Sequence, residues 1–177
     1  MEFLQGVEFV RLRSYEHESY AMAGEDGRSV YLAGAHDLDT APRNTVWAVE
    51  PLLNAGTLYV LFRGPYGRYL GAPVAGGGGC FPALSCCSSL DAAAQLDRGG
   101  EAVRPIMWRP IRCGNGVVNL RDGEDRYLRG NESSLLTLLG CGGDSVSVDG
   151  DINDDKTLRW ELVAVPRTHD MPELPIM

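Results

Sequence analysis

Short apolar runs with a period near two alternate with polar turns along this chain, and one phrase recurs. Tyr59 to Ala72 reads YVLFRGPYGRYLGA. Its first half is apolar and rich in β-formers. Gly64-Pro65-Tyr66-Gly67 is turn chemistry, because glycine tolerates positive φ and proline presets its own. Arg68-Tyr69-Leu70 then restarts an extended run. Phe9 to Ala21 (FVRLRSYEHESYA) and Val117 to Gly130 (VVNLRDGEDRYLRG) repeat the phrase. In each copy an apolar run ends in arginine (Arg13, Arg63, Arg121) and a tyrosine follows (Tyr20, Tyr69, Tyr127). The arginine-to-tyrosine step is seven residues in the first copy and six in the others. Each copy closes on a tryptophan in an extended run: Trp47, Trp108 and Trp160.

The pattern predicts strands at Phe9–Arg13, Tyr20–Ala23, Ser29–Ala33 and Thr45–Leu52 in the first unit. The second unit opens with strands at Tyr59–Arg63 and Arg68–Leu70. A long Gly-, Ala- and Ser-rich segment, Pro73–Arg104, follows. Within it we expect a strand in Phe81–Cys86, helical turns at Leu90–Leu96 capped by Ser89 or Asp91, and loop elsewhere. Ile106–Cys113 closes that unit. The third opens with the phrase Val117–Gly130, carries an apolar insertion at Ser133–Cys141, echoes the first unit's third strand at Ser145–Asp149 and ends on a strand at Leu158–Val165.

Four short strands per unit, three times over, predict an all-β chain folded as a β-trefoil. It has a barrel capped by three hairpins, a long loop in repeat 2 and an insertion in repeat 3. One such unit cannot bury its apolar face alone, and three about a pseudo-threefold axis close the sheet. The expected layout is one domain over 1–166, with repeats near 7–53, 58–114 and 117–166, and a flexible tail over 167–177. Leu12, Leu61 and Leu120, with the three tryptophans, are expected to meet in the core. A β-sandwich would leave the repeat unexplained.

Composition narrows the function. The 177 residues carry a net charge of −8, which argues against general affinity for nucleic acid or an anionic membrane. No apolar run approaches the roughly 20 residues of a membrane-spanning helix. The start, MEFLQGVEFVRLR, lacks the basic-then-apolar pattern of a secretory signal. Five cysteines, an odd number, fit free thiols in a reducing compartment. The expected location is the cytoplasm, with the nucleus also open.

Candidate chemistry is sparse. The acidic run Asp149–Asp155 (DGDINDD) places Asp149, Asp151 and Asn153 at alternate positions, as a calcium loop would. The sixth position is Asp154 rather than glycine and the twelfth is Trp160 rather than glutamate, so a solvated turn is expected. The cysteines lack zinc spacing. No catalytic signature surrounds them or His17, His36 and His169. Gly76–Gly79 is not followed by Lys-Ser/Thr, so it is no phosphate loop. No cofactor, no metal and no catalytic residue is expected, and the chain is not expected to be an enzyme. The repeated tyrosines are expected to donate their hydroxyls to backbone, and the arginine stems to cover apolar surface. Three equivalent sugar pockets are the competing reading. The residues two before the tryptophans are Thr45, Ile106 and Leu158, so the Q-x-W signature of ricin-type lectins is absent.

The phrases VRLRS, FRGPYGRYLGA and LRDGEDRYLRG, with TVWAVEP and RWELVAVP closing their units, resemble a plant family of unknown function (domain of unknown function 569). That family is classed with the fascin-like, actin-crosslinking β-trefoils. The likeness spans roughly Met1 to Pro166. The first turn, SYEHES, departs from it by being longer and lacking glycine. The resemblance implies a plant protein, a trefoil fold and actin as a partner.

The expected role is a non-catalytic protein-binding module of a plant cytosolic protein, in a stress or defence setting. A glycan-binding lectin and an actin crosslinker are the alternatives. The turns carry what specificity there is. Tyr66 and Arg68, of residue types common at binding hot spots, and Asp125 and Arg126 on the third copy's turn are the candidate binding residues.

Overall fold

A computed structural model describes residues 4, 6–34, 39, 42–73, 91–99, 103–114, 116–131, 145–153, 155–168, 171 and 172. The expected features at Gly76–Gly79, Phe81–Cys86 and Ser133–Cys141 lie outside the described residues, as do His36 and His169.

The described strands are β1 (Phe9–Ser14), β2 (Tyr20–Ala23), β3 (Val30–Ala33), β4 (Val46–Asn54), β5 (Thr57–Arg63), β6 (Tyr69–Gly71), β7 (Asp91–Ala92), β8 (Ala94–Leu96), β9 (Arg109–Arg112), β10 (Val117–Arg121), β11 (Tyr127–Asn131), β12 (Ser145–Asp149) and β13 (Arg159–Ala164). Six of them close on themselves. β1 pairs with β4, β4 with β5, and β5 reaches β9 through a bridge between Val60 and Trp108. β9 pairs with β10, β10 with β13, and β13 returns to β1. Closure leaves these strands no free edge between neighbours. The pairs β2–β3, β6–β8 and β11–β12 form hairpins over this ring.

In β1 and β10 alternation puts one face inside, while β4 is buried along its first half. The main core holds Val10, Leu12, Trp47, Phe62, Leu70, Trp108, Leu120, Leu128 and Trp160, all essentially inaccessible to water. Full burial of side chains this large is worth about 1.5–3 kcal/mol each. One expectation fails here. Leu61 is buried but belongs to a separate cluster with Tyr69, Ile106 and Met107. Phe62 takes the place in the main core. The reason is register: the inward residue immediately precedes the strand-ending arginine, giving Leu12, Phe62 and Leu120.

A second expectation also fails. The Leu90–Leu96 stretch is not helical where it is described; it supplies β7 and β8. Its composition (DAAAQL) favours helix, but tertiary pairing decides. Leu96 sits opposite Tyr69, Gln95 opposite Leu70 and Ala94 opposite Gly71, which completes the second hairpin. Beyond β13, Arg167 pairs with Glu8 at 3.7 Å, and Met171 packs against the cluster of Phe9, Val46 and Ala48.

Candidate functional site

The recurring phrase is built the same way each time. Arg13 lies opposite Tyr20, Arg63 opposite Tyr69 and Arg121 opposite Tyr127. A backbone bond closes each turn: Ser14 N–H to Ser19 O (2.7 Å), Gly64 N–H to Arg68 O (2.7 Å) and Asp122 N–H to Arg126 O (2.8 Å). Each turn contains a residue with left-handed backbone: Glu18 (φ 55°), Gly67 (φ 76°) and Asp125 (φ 67°). The strand-ending arginine reaches that residue in every copy. Arg13 pairs with Glu18 at 3.3 Å, Arg63 Nε donates to Gly67 O at 3.5 Å, and Arg121 pairs with Asp125. A left-handed non-glycine residue costs roughly 1–2 kcal/mol. The ion pair offsets part of that at Glu18 and Asp125. SYEHES therefore does without glycine by placing a clamped carboxylate where the second copy has Gly67. Arg13 also donates to Glu161 at 2.7 Å, and that bond above all holds its pKa above the ordinary value.

The tryptophans are equally uniform. The indole N–H of Trp47 donates to Ala21 O (3.0 Å), that of Trp108 to Leu70 O (2.9 Å) and that of Trp160 to Leu128 O (2.9 Å). Each acceptor is the carbonyl one residue after the phrase's tyrosine. The indoles thus tie each hairpin to the barrel.

Tyr69 departs from expectation. Its hydroxyl donates not to backbone but to the carboxylate of Glu50 at 2.8 Å, and Arg98 donates to the other oxygen at 3.1 Å. Glu50 and Tyr69 are each 5% exposed. Burial first, and then the bond to Glu50, raise the Tyr69 pKa above its usual value.

The four residues singled out in the sequence lie on two turns with different partners. Tyr66 is half exposed and donates to Asn44 Oδ1 at 3.2 Å. Arg68 donates to Gly27 O at 2.6 Å and pairs with Asp97 at 3.1 Å, joining the second turn to the first hairpin and to the residue after β8. Arg126 is mostly buried and holds the carboxylate of buried Asp122 at 2.9 Å. Asp125 is exposed and clamped by Arg121. Of the four, Asp125 points most of its surface outward and Tyr66 a good part of it; Arg68 and Arg126 are spent on bracing.

The acidic turn is also internally satisfied. Buried Arg129 donates to Thr157 Oγ1 at 2.6 Å and to the Asp151 carbonyl, and lies 3.7 Å from Asp149 Oδ2. The Arg129 guanidinium thus braces the turn through the Asp151 carbonyl and the Asp149 carboxylate. Among the described residues no three His, Cys, Asp or Glu side chains converge as metal ligands. No helix among them is long and apolar enough to cross a membrane.

What remains outward is unevenly placed. The β4–β5 hairpin runs from Ala48–Arg63 to Asn54–Thr57. Near its tip Leu53 is 71% and Leu58 40% exposed, facing each other across the strands. Pro51 to Tyr59 (PLLNAGTLY) contains no charged residue. The sequence signal was available: apolar residues on both sides of Asn-Ala-Gly-Thr mark a hairpin, whereas the expected strand stopped at Leu52. A shallow groove of about 350 Å³ lies elsewhere, between Gly6–Glu8 and Ala164–Arg167.

Residues 1–76 match the family model described as a β-trefoil domain of unknown function (DUF569). No curated protein matches the sequence. Among solved structures, a designed threefold-symmetric protein, ThreeFoil, is similar at TM-score 0.59 and 14% identity, over 89% of this chain and 99% of that one. A ricin B-like lectin from Macrolepiota procera, solved with lactose, gives TM-score 0.60 and 13% identity over 89% and 96%. An endo-β-galactosidase from Clostridium perfringens gives TM-score 0.59 and 12% identity, over 90% of this chain but 33% of that one, so the chain spans about a third of that enzyme. At these identities the likeness establishes fold alone: the chain is all-β and β-trefoil-like.

Proposed function

We propose that the protein is a non-catalytic binding module built of three trefoil repeats, 7–53, 58–114 and 117–166, that engages another protein through its outer hairpins. The observation that carries this reading is the division of labour among its residues. Arginines and tryptophans of the recurring phrase bond within the fold, while Leu53 and Leu58 project from an uncharged hairpin tip. Aliphatic side chains exposed together on a hairpin gain free energy when a partner covers them. Tyr66 and Asp125, exposed on other turns, are the candidate polar contacts. The setting we favour is the cytosol of a plant cell, in stress or defence.

The test is affinity capture with the purified chain and a Leu53→Asp/Leu58→Asp variant whose fold is verified by circular dichroism. A reproducible partner retained by the wild type and lost by the variant supports the proposal. The absence of any reproducible partner, or equal retention by both, refutes it.

Glycan binding is the second reading, favoured by the similarity to a lectin solved with lactose. The positions two before the tryptophans weigh against a ricin-type site. Ile106 and Leu158 are buried apolar residues, and Thr45 donates its hydroxyl to Pro42 O. A glycan array with signal at micromolar protein would establish it. Actin crosslinking needs two filament sites on one compact domain or a dimer, and co-sedimentation with filaments tests it directly.

A further inference from the structure

We propose that the outer wall of β13, β10 and β9 docks an acidic segment of a partner protein, and that Arg109 and Arg121 are its anchor. This wall shares no strand with the Leu53–Leu58 tip, so the two readings stand or fall separately.

Register places the side chains. Directly opposite residues of an antiparallel pair lie on the same face. Val118, Leu120 and Trp160 are buried in the main core, so their neighbours along each strand face out. On β13 these are Arg159, Glu161 and Val163; on β10, Val117, Asn119 and Arg121. Ile111 and Arg109 on β9 lie opposite Asn119 and Arg121. β1 continues the wall with Arg11 and Arg13, opposite Val163 and Glu161. Ten outward positions thus carry five arginines and one carboxylate, on a chain whose net charge is −8.

At the anchor two cations stand directly opposite each other, an arrangement that costs free energy. The first copy of the phrase shows what completes it. Arg13 is the equivalent of Arg121, and Glu161, the residue after Trp160, is the equivalent of Arg109, the residue after Trp108. There the opposite residue is a carboxylate, and Arg13 donates to it at 2.7 Å. In the second copy the place opposite Arg63 is Ala48. In the third it is a second guanidinium. Arg121 has Asp125 as a partner, but that side chain is 74% exposed and easily displaced. Arg109 is exposed and, among the described residues, makes no hydrogen bond or ion pair. A partner's carboxylate supplies to this pair what Glu161 supplies to Arg13, and the guanidinium fork suits it.

The rest of the wall selects a peptide over a nucleic acid. Val163 is 39% exposed and Ile111 and Val117 are half-buried, so aliphatic contacts alternate with cationic ones. Alternate side chains of an extended segment are roughly 7 Å apart. The diagonal step from Arg121 to Arg159 on the next strand is about 7–8 Å. A nucleic acid carries charge at every step along its length. It would run from the arginines onto Glu161, Asp155 and Asp125, which border them. A peptide can end its charges where the arginines end.

The test is fluorescence anisotropy on the full chain at about 0.1 M salt, where long-range repulsion from the net charge is screened. The probes are a peptide of about seven residues alternating glutamate and valine, long enough to cross the wall, its glutamine–valine counterpart, and a single-stranded oligonucleotide of equal length. The glutamate peptide should bind and the glutamine peptide should not. Arg109→Gln should weaken binding about tenfold, the equivalent of one charge-assisted bond. Arg28→Gln removes the same charge from an exposed turn elsewhere and should leave binding unchanged. Arg109→Glu rebuilds the Arg13–Glu161 arrangement opposite Arg121. It should abolish peptide binding and raise the urea midpoint, which also shows that the variant folds. No binding of the glutamate peptide by the wild type overturns the proposal. So does equal weakening by Arg109→Gln and Arg28→Gln, or tighter binding of the oligonucleotide than of the peptide.

Discussion

The main core and the satellite core of this protein are organised on opposite principles. In the main core the same interaction is made three times: an inward residue before an arginine, and an indole N–H on the carbonyl after a tyrosine. In the satellite core the second copy's tyrosine is drawn into contacts of its own. A buried carboxylate on β4 takes a phenol from β6 and a guanidinium from beyond β8, around a small apolar group. Repetition in the first case marks what the fold needs. The second, and the exposed Leu53–Leu58 tip that shares β4 with it, rest on residues outside that shared pattern, such as Glu50 and Arg98.

The largest effects should come from the shared frame. Trp47→Ala, Trp108→Ala and Trp160→Ala should each cost about 3–5 kcal/mol in urea unfolding. The three costs should agree closely if the sites are equivalent. One much cheaper tryptophan would break the comparison. Glu50→Ala should cost less, about 1–3 kcal/mol, because Arg98 is half exposed and recovers water while Tyr69 does not.

The turns give a smaller and sharper contrast. Glu18→Val and Asp125→Val place a β-branched residue at positive φ and should each lose about 1–2 kcal/mol. Glu18→Gly should stay within about 0.5 kcal/mol of wild type, since relief of strain and loss of the Arg13 pair oppose each other. A Glu18→Gly variant as unstable as Glu18→Val would show that the carboxylate, not the backbone, matters there.

Two pH responses should be smaller still. Backbone N–H donors of Ser29 and Arg28 lower the Asp26 pKa, so its contribution is present above about pH 4 and lost as pH falls through the folded value. Asp26→Asn should flatten that acid limb. Tyr69 has a raised pKa, so its contribution is complete below about pH 10 and is lost as pH rises further. Tyr69→Phe should flatten the alkaline limb. Denaturation midpoints measured across pH would check both.

Much of the frame was legible in the sequence because it is local and repeated. The Arg–Tyr spacing set the hairpins, and Ser145–Asp149 is a strand with the expected ends. The inward register was legible only if counted from the arginine, which is why Leu61 misled and Phe62 was missed. The β8 strand was not legible. Ala-Ala-Gln-Leu has no strand preference of its own, and pairing with Tyr69–Gly71 makes it one. Among the candidate residues, Arg68 and Arg126 looked like binding groups because a sequence shows their chemistry but not their partners. Gly27, Asp97 and Asp122 lie on other turns or across the hairpin, and only the fold brings them into contact. The Glu50–Tyr69–Arg98 group joins residues far apart in the chain, with no recurring spacing to betray it.

The frame itself can be probed by recording indole N–H exchange for Trp47, Trp108 and Trp160 by NMR under native conditions. All three protons should exchange slowly and at one common rate, set by global unfolding. A single indole that exchanges orders of magnitude faster than the other two would contradict the shared role assigned to them.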